Sequence, residues 1–185
     1  MNKDDIRRRV RARKRLLSDD EMLSAAERVF QRVEQLAAFT VSQNILMYNS
    51  LPDELSTRSF IDKWHTAKCF FLPRVNGVNL DILPYERTSL RLGAFHIEEP
   101  TGDDIADPSE IELIIVPAMA YDRKGNRVGR GKGYYDRLLA DTRAYKIGVA
   151  YDFQLVDSVD DVDSFDVPVD MVITESCTIV RRKHH

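Results

Sequence analysis

Cysteine is scarce in this 185-residue sequence, which has only Cys69 and Cys177. Two thiols cannot supply a disulfide framework for a chain of this length, and their spacing does not suit metal ligation. The reading is two buried thiols in a reducing compartment. Long apolar runs are also missing. The longest, Leu113 to Tyr121, is about half a membrane span, and Met1 to Arg15 is too charged for a signal peptide. A soluble, cytoplasmic protein with no membrane partner is expected. Glycine is sparse, with eight residues, and four of them fall between Arg123 and Gly133. No internal repeat or low-complexity segment is evident. Hydrophobic residues at 43% and charged residues at 31% exclude a disordered chain. At about 150 residues per domain, the length favours one compact domain over residues 1–185.

One sign of charge disappears from a long stretch. Between Lys146 and Arg181 there is no Lys or Arg, while Asp152, Asp157, Asp160, Asp161, Asp163, Asp166 and Asp170 all fall there. At the other end, Lys3 to Arg15 holds eight basic residues against Asp4 and Asp5, in a chain of net charge −3. Such blocks mark solvated faces or interaction tails, and a basic arm can serve nucleic acid. A global pI near 5.8 argues against a nucleic-acid partner.

Periodicity gives the elements. The basic arm reads as a helix with Ile6, Val10 and Leu17 on one stripe, interrupted by Arg13. Lys3, Arg7 and Lys14 lie along the neighbouring edge, where their cationic heads could converge on one ligand. Ser18-Asp19-Asp20-Glu21 has the capping-box form and starts a second helix with Met22, Ala25, Ala26, Val29, Phe30, Val33, Leu36 and Ala37 on its apolar face. Asn44 to Tyr48 reads as a buried strand, and Ser56 or Thr57 caps a helix carrying Phe60, Ile61 and Trp64. Cys69 to Leu72, Val78 to Leu83, Ile111 to Val116, Lys146 to Ala150 and Met171 to Thr174 suit strands. Strands alternating with helices predict a three-layer α/β/α domain with a mostly parallel central sheet, Rossmann-like, in which Phe70 to Leu83 can be an antiparallel hairpin. Tyr85 to Pro108, with Gly93, Pro100 and Gly102, reads as an irregular surface connection. Ligands of such sheets sit outside the carboxyl ends of the strands, so the loops after Tyr48, Val116 and Ala150 are where chemistry is expected.

The loop after Val116 is the most informative. Five cationic residues and four glycines lie between Arg123 and Gly133. Glycine at 129, 131 and 133 admits positive φ, so successive N–H groups can turn toward one anion, and a helix beginning near Tyr134 adds its positive end. This is a phosphate cradle in outline, although it has neither Walker A nor dinucleotide-fold spacing. The same residues also suit a solvated turn. Asp136 suits a first-turn carboxylate that binds nothing, and Tyr134 and Tyr135 suit helix packing.

The run Gly125-Asn126-Arg127-Val128-Gly129-Arg130-Gly131-Lys132-Gly133-Tyr134-Tyr135-Asp136 resembles the signature of the 5-formyltetrahydrofolate cyclo-ligases, also called methenyltetrahydrofolate synthetases. Family-like features recur in order at Lys3 with Arg7, Arg15 to Ser18, Asp53 to Thr57, Phe71 to Arg74, Ile97 to Pro100 and Val167 to Asp170. The resemblance implies a three-layer α/β fold and ATP-dependent closure of 5-formyltetrahydrofolate to 5,10-methenyltetrahydrofolate, with release of ADP and phosphate. By position it implies ATP contacts at Lys3 and Arg7, on a basic helix spanning about residues 3–17. It implies further ATP contacts at Arg127, Val128, Gly129, Arg130, Gly131, Lys132, Gly133, Tyr134 and Tyr135. Folate contacts are implied at Asn49 and Glu54 and along Arg130, Gly131, Lys132, Gly133 and Tyr134, and magnesium ligands at Asp136 and Asp170. The partner implied is a small molecule, 5-formyltetrahydrofolate with or without a polyglutamate tail, and the protein is expected to be a monomer.

The chemistry asks for such residues. A formamide oxygen leaves poorly until it is phosphorylated, and phosphoryl transfer needs positioning and charge neutralisation rather than a covalent nucleophile. Arg127, Arg130 and Lys132 are the expected catalytic cations. Magnesium needs hard oxygen ligands, which Asp136 and Asp170 can supply. Glu54 follows a strand end, where a carboxylate can accept pterin N–H groups. Ala118, Tyr121 and Ser56 depart from common family residues and touch packing and the substrate edge. His65, His96, His184 and His185 lack metal spacing and receive no catalytic role. Rival readings are a phosphotransferase on another formyl or amide substrate, a non-catalytic nucleotide or folate binder, and an RNA-associated protein using the basic arm.

Overall fold

The computed structural model describes residues 1–86, 90–92 and 98–183. Gly93, His96, Ile97, His184 and His185 therefore lie outside the described residues.

Two amphipathic helices open the chain. In α1 (Lys3–Lys14), the Asn2 side chain accepts the Asp5 N–H at 2.9 Å, and Ile6 and Val10 form the buried stripe. Leu17 falls beyond its end. α2 (Asp19–Glu34) has the anticipated cap, with Ser18 Oγ accepting the Glu21 N–H at 3.1 Å, and buries Ala25, Ala26, Val29, Phe30 and Val33. There follow α3 (Ala37–Val41), β1 (Asn44–Leu46), α4 (Arg58–Trp64), β2 (Cys69–Asn76), β3 (Asn79–Pro84), β4 (Leu90–Leu92) and β5 (Glu98–Pro100). The rest is β6 (Leu113–Val116), β7 (Ala120–Asp122), β8 (Arg127–Val128), α5 (Tyr134–Ala140), β9 (Tyr145–Val149), β10 (Leu155–Val156), β11 (Met171–Ile173) and β12 (Thr178–Val180).

Seven strands form one sheet in the order β12-β11-β9-β6-β1-β2-β3. The five inner strands run parallel, and β3 and β12 close the two edges antiparallel. The sheet is thus mixed, mostly parallel and flanked by helices, and β2 with β3 is the expected hairpin. Strand periodicity assigns side chains to two cores. Leu113 and Ile115 of β6 pack with Phe30 of α2 and Phe60 of α4, whereas Ile114 and Val116 pack with Leu138 and Leu139 of α5. A third, smaller cluster joins Ile6 and Val10 to Met119, Ala120, Val128 and Val159. It seats α1 on a separate three-stranded sheet of order β10-β7-β8.

Several expectations need correction. Cys69 is exposed and Cys177 half-buried, because Cys69 opens β2 at a sheet end rather than inside a core. The stretch from Tyr85 to Pro108 is not wholly irregular, since β4 and β5 pair antiparallel within it. Thr57 precedes α4 but donates its hydroxyl to the Tyr48 carbonyl at 2.9 Å, tying the helix start to the end of β1. Among the described residues, no helix is long and apolar enough to cross a membrane.

Gly148 marks a point of close packing. Tyr121 is fully buried, its hydroxyl donates to the Val116 carbonyl at 2.6 Å, and its ring lies where a Cβ on Gly148 would project. Gly148→Ala is expected to cost about 1–3 kcal/mol by overpacking. Thermal unfolding of the variant checks this, and an unchanged midpoint would show that the ring can move aside.

Candidate functional site

Strand order reverses at β1. The chain leaves β1 for β2 on one side and returns as β6 on the other, and an open α/β sheet leaves a crevice at such a switch point. A cavity of about 390 Å³ opens there, a size that suits a small molecule. Tyr48 and Asn49 beyond β1 and Pro117 and Ala118 beyond β6 line it. Pro73, Val75 and Leu80 of the β2–β3 hairpin form an apolar wall. The expected loops after Tyr48 and Val116 therefore meet at the cavity. The loop after Ala150 reaches it late in its course, through Asp163, Phe165 and Asp166, while nearer the strand Phe153 stacks on Tyr151 and receives the Arg13 guanidinium at 5.2 Å from the ring centroid.

Cations come to the cavity from two elements. From α1, Lys3 Nζ donates to Asp166 at 2.6 Å and Asp163 at 3.2 Å, and Arg7 Nε donates to the Gly129 carbonyl at 2.8 Å. From the glycine loop, Arg127 Nε donates to the Pro117 carbonyl at 3.0 Å, and its guanidinium lies over the Tyr135 ring at 5.0 Å. Arg130 donates to Asp53 at 2.9 Å, with Glu54 at 3.9 Å. Lys132 also lines the cavity but is exposed, and no described residue pairs with its ammonium group. Gly131, Gly133, Tyr134, Tyr135 and Asp136 continue this wall.

The loop geometry has specific causes. Gly131 and Gly133 adopt φ of 105° and 72°, while Gly129 does not adopt positive φ, contrary to expectation. α5 begins at Tyr134 as anticipated. Arg137 fastens the loop to the hairpin, with Nε donating to the Val78 carbonyl at 2.7 Å and a terminal nitrogen donating to the Lys132 carbonyl at 2.8 Å.

Not every expected residue arrives. Val128 is fully buried in the cluster beneath α1, so its side chain faces away from the cavity. Asp170 does not line the cavity either. It immediately precedes β11, at the amino end of the parallel strands, and its carboxylate accepts the Lys146 N–H at 2.9 Å. The structure does not bring it to the wall where Asp136 lies. Among the described residues, no cluster of three or more His, Cys, Asp or Glu side chains forms a ready-made metal site. Lys3, Arg7 and Lys14 do not converge on one point, because Lys14 turns instead toward Asp53 at 3.6 Å.

Sequence reasoning missed Asp163, Phe165 and Asp166, which line the cavity from the acidic tail. The cation-free aspartate run was their signal, since those acids neutralise the basic helix. Gly125 fixes this segment in place. Its φ is 82°, its carbonyl accepts the Val169 N–H at 2.9 Å, and a Cβ there would collide with the Val169 carbonyl oxygen.

Residues 1–175 match the model of the 5-formyltetrahydrofolate cyclo-ligase family. The chain is 29% identical over 177 residues to the 5-formyltetrahydrofolate cyclo-ligase of Escherichia coli K12, covering 90% of this chain and 97% of that protein. It is 28% identical over 190 residues to the mouse protein of the same name, covering 94% and 93%. The NMR structure of Aquifex aeolicus 5,10-methenyltetrahydrofolate synthetase superposes with a TM-score of 0.90 at 32% identity, covering 100% of this chain and 95% of that one. A 5,10-methenyltetrahydrofolate synthetase from Mycoplasma pneumoniae shares the fold, with a TM-score of 0.77 at 23% identity and coverage of 95% and 99%.

Glu54 carries a stability signature. Burial pushes its carboxyl above the ordinary range, against the Leu51 N–H, Arg130 and Lys14, which pull it down. An acid raised in the folded state costs nothing below its unfolded value; the cost sets in as pH rises through that value and is complete above the folded one. Glu54→Gln is therefore expected to raise the melting temperature at neutral pH, and the gain should vanish below about pH 4.3. Calorimetry at neutral and acid pH checks this, and a lower melting temperature at neutral pH contradicts it.

Proposed function

Since the chain belongs to the 5-formyltetrahydrofolate cyclo-ligase family, we propose that it converts 5-formyltetrahydrofolate to 5,10-methenyltetrahydrofolate using ATP and magnesium, and releases ADP and phosphate. One observation carries the reading: cations of α1 and of the glycine loop gather on a single cavity at the strand switch point. The apolar hairpin wall and Glu54 suit a pterin, and the cationic wall suits a polyphosphate.

The chemistry follows from this division. The γ-phosphoryl group passes to the formyl oxygen. The nitrogen at position 10 then attacks the formyl carbon, its proton is lost, and the carbon–oxygen bond breaks to release phosphate. Lys3 and Arg7 hold the nucleotide phosphates together with residues 127–135, Val128 contributing through its backbone. Lys132 meets the transferred group, because its ammonium is not committed to a described carboxylate. Arg127 and Arg130 neutralise developing charge in a partly dehydrated site, where fixed donors are worth most. Asn49 faces the folate, and its Nδ2 is buried with no hydrogen-bond partner among the described residues, as a ligand contact requires.

Asp136 fits a magnesium ion, which commonly takes one or two carboxylates alongside phosphate oxygens and water. It lines the cavity, and Arg127 lies 4.0 Å away. When bound, the ion supplies neutralisation of phosphate charge. Asp170, held by the Lys146 N–H, is not assigned to it.

The methenyl chromophore is expected from 5-formyltetrahydrofolate only when ATP and magnesium are both present. Ligand-induced thermal stabilisation without turnover would reject the enzyme reading in favour of a binder. Lys132→Ala is expected to lower turnover about 10²–10³-fold with the melting temperature unchanged. Wild-type turnover in that variant would remove Lys132 from the mechanism. Asp136→Ala is expected to raise the magnesium concentration needed for half-maximal rate, and an unchanged requirement would place the ion elsewhere.

A further inference from the structure

Lys14 ends α1 with its side chain only 4% exposed, a costly position for an ammonium group. Its Nζ has no hydrogen-bond partner among the described residues, and Asp53 Oδ2 lies at 3.6 Å. It borders a small chamber of about 10 Å³ together with Tyr48, Glu54, Ala118 and Gln154. Glu54 lines both this chamber and the main cavity, and among the described residues it is the acid the two share.

We propose that Lys14 is a positioning residue for substrate recognition, acting through Glu54 to keep that carboxyl in the ionised form that accepts pterin N–H groups. The inference rests on the folate reading of the cavity. A carboxylate is acceptor-only, whereas a protonated Glu54 would present a hydroxyl donor to the donors of the ring. Burial favours the protonated form, and it is opposed by the Leu51 N–H, which donates to Glu54 Oε1 at 2.8 Å, together with nearby positive charge. Arg130 opposes it only in part, because its guanidinium hydrogen-bonds Asp53 at 2.9 Å and stands 3.9 Å from Glu54. Lys14 opposes it from the inner side. Burial pulls the Lys14 ammonium below its usual range, against Asp53 and Glu54.

The other groups facing this pair do not replace it. The hydroxyls of Tyr48 and Tyr121 donate to the Leu55 and Val116 carbonyls. Burial raises both phenols, and likewise those of Tyr135 and Tyr151, so none carries charge near neutrality. Asp53 adds a negative charge that makes a local cation more necessary.

Calorimetric titration of the full-length protein with 5-formyltetrahydrofolate, across mildly acidic to neutral pH, tests the inference in wild type, Lys14→Met and Lys14→Arg. Lys14→Met is expected to weaken folate binding several-fold at the acid end, with its pH profile displaced upward and ATP affinity unchanged. Lys14→Arg, which keeps the charge, should follow the wild type. Coincident profiles for wild type and Lys14→Met, or an equal loss at every pH, would overturn the inference and leave Lys14 a packing residue. A wild-type protein that fails to bind the folate would instead overturn the reading on which the inference rests. If Lys14→Met does not fold, Lys14→Gln supplies the same uncharged comparison.

Discussion

Arg127 joins the sheet to the glycine loop. Its Nε caps the Pro117 carbonyl just beyond β6, its guanidinium covers Tyr135, and Asp136 stands 4.0 Å away. One side chain, 7% exposed, therefore fixes the loop across the crevice left by the strand reversal. A loop with this much positive charge and glycine would otherwise repel itself and sample many conformations. Arg137 anchors the far end of the loop on the hairpin, and Arg7 anchors its middle through the Gly129 carbonyl. Arg7 and Arg127 thus both line the cavity and tie down the loop that shapes it.

The amino-terminal helix is held by the acidic tail. The α-amino group of Met1 pairs with Asp160, the Lys3 N–H is accepted by Asp161 at 2.9 Å, and Lys3 Nζ reaches Asp163 and Asp166. Exposed ion pairs contribute little each, but Lys3 and Asp166 are only 14% and 12% exposed, where the attraction is less screened. Apolar burial of Ile6 and Val10 against Val128 and Met119 supports the same placement from below. Two helices that differ in role thereby differ in composition: α2 packs on the main sheet through a broad apolar face, whereas α1 uses a narrow stripe and ionic ends.

Six of the seven strands of the main sheet were legible because their signal is local, while the edge strand β12 was not read. Runs such as Leu113 to Val116 are apolar on both faces, as strands covered on both sides must be, and Ser18 with Glu21 announced α2. The short strands β7, β8 and β10 were not legible. They span two or three residues each, too few for periodicity, and α1 packs against the small sheet they form. At the site, the glycine loop was readable from spacing and resemblance, whereas the parts contributed by the acidic tail depended on tertiary contacts. Asp163 and Asp166 pair with Lys3 across more than 150 residues of sequence, a relation no local window contains. Asp170 was misplaced for the same reason: four residues from Asp166, it is drawn to the Lys146 N–H at the opposite end of the strands.

The central claim is that one cavity at the β1–β6 switch point receives the nucleotide phosphates between α1 and the glycine loop. Amide chemical shifts followed during titration with a non-hydrolysable ATP analogue and magnesium test it most directly. The account predicts that the largest changes cluster at Lys3, Arg7 and Gly129 to Asp136, and extend to Asp163 and Asp166 as Lys3 exchanges partners. Changes confined to another surface, with the glycine loop silent at saturation, would contradict it.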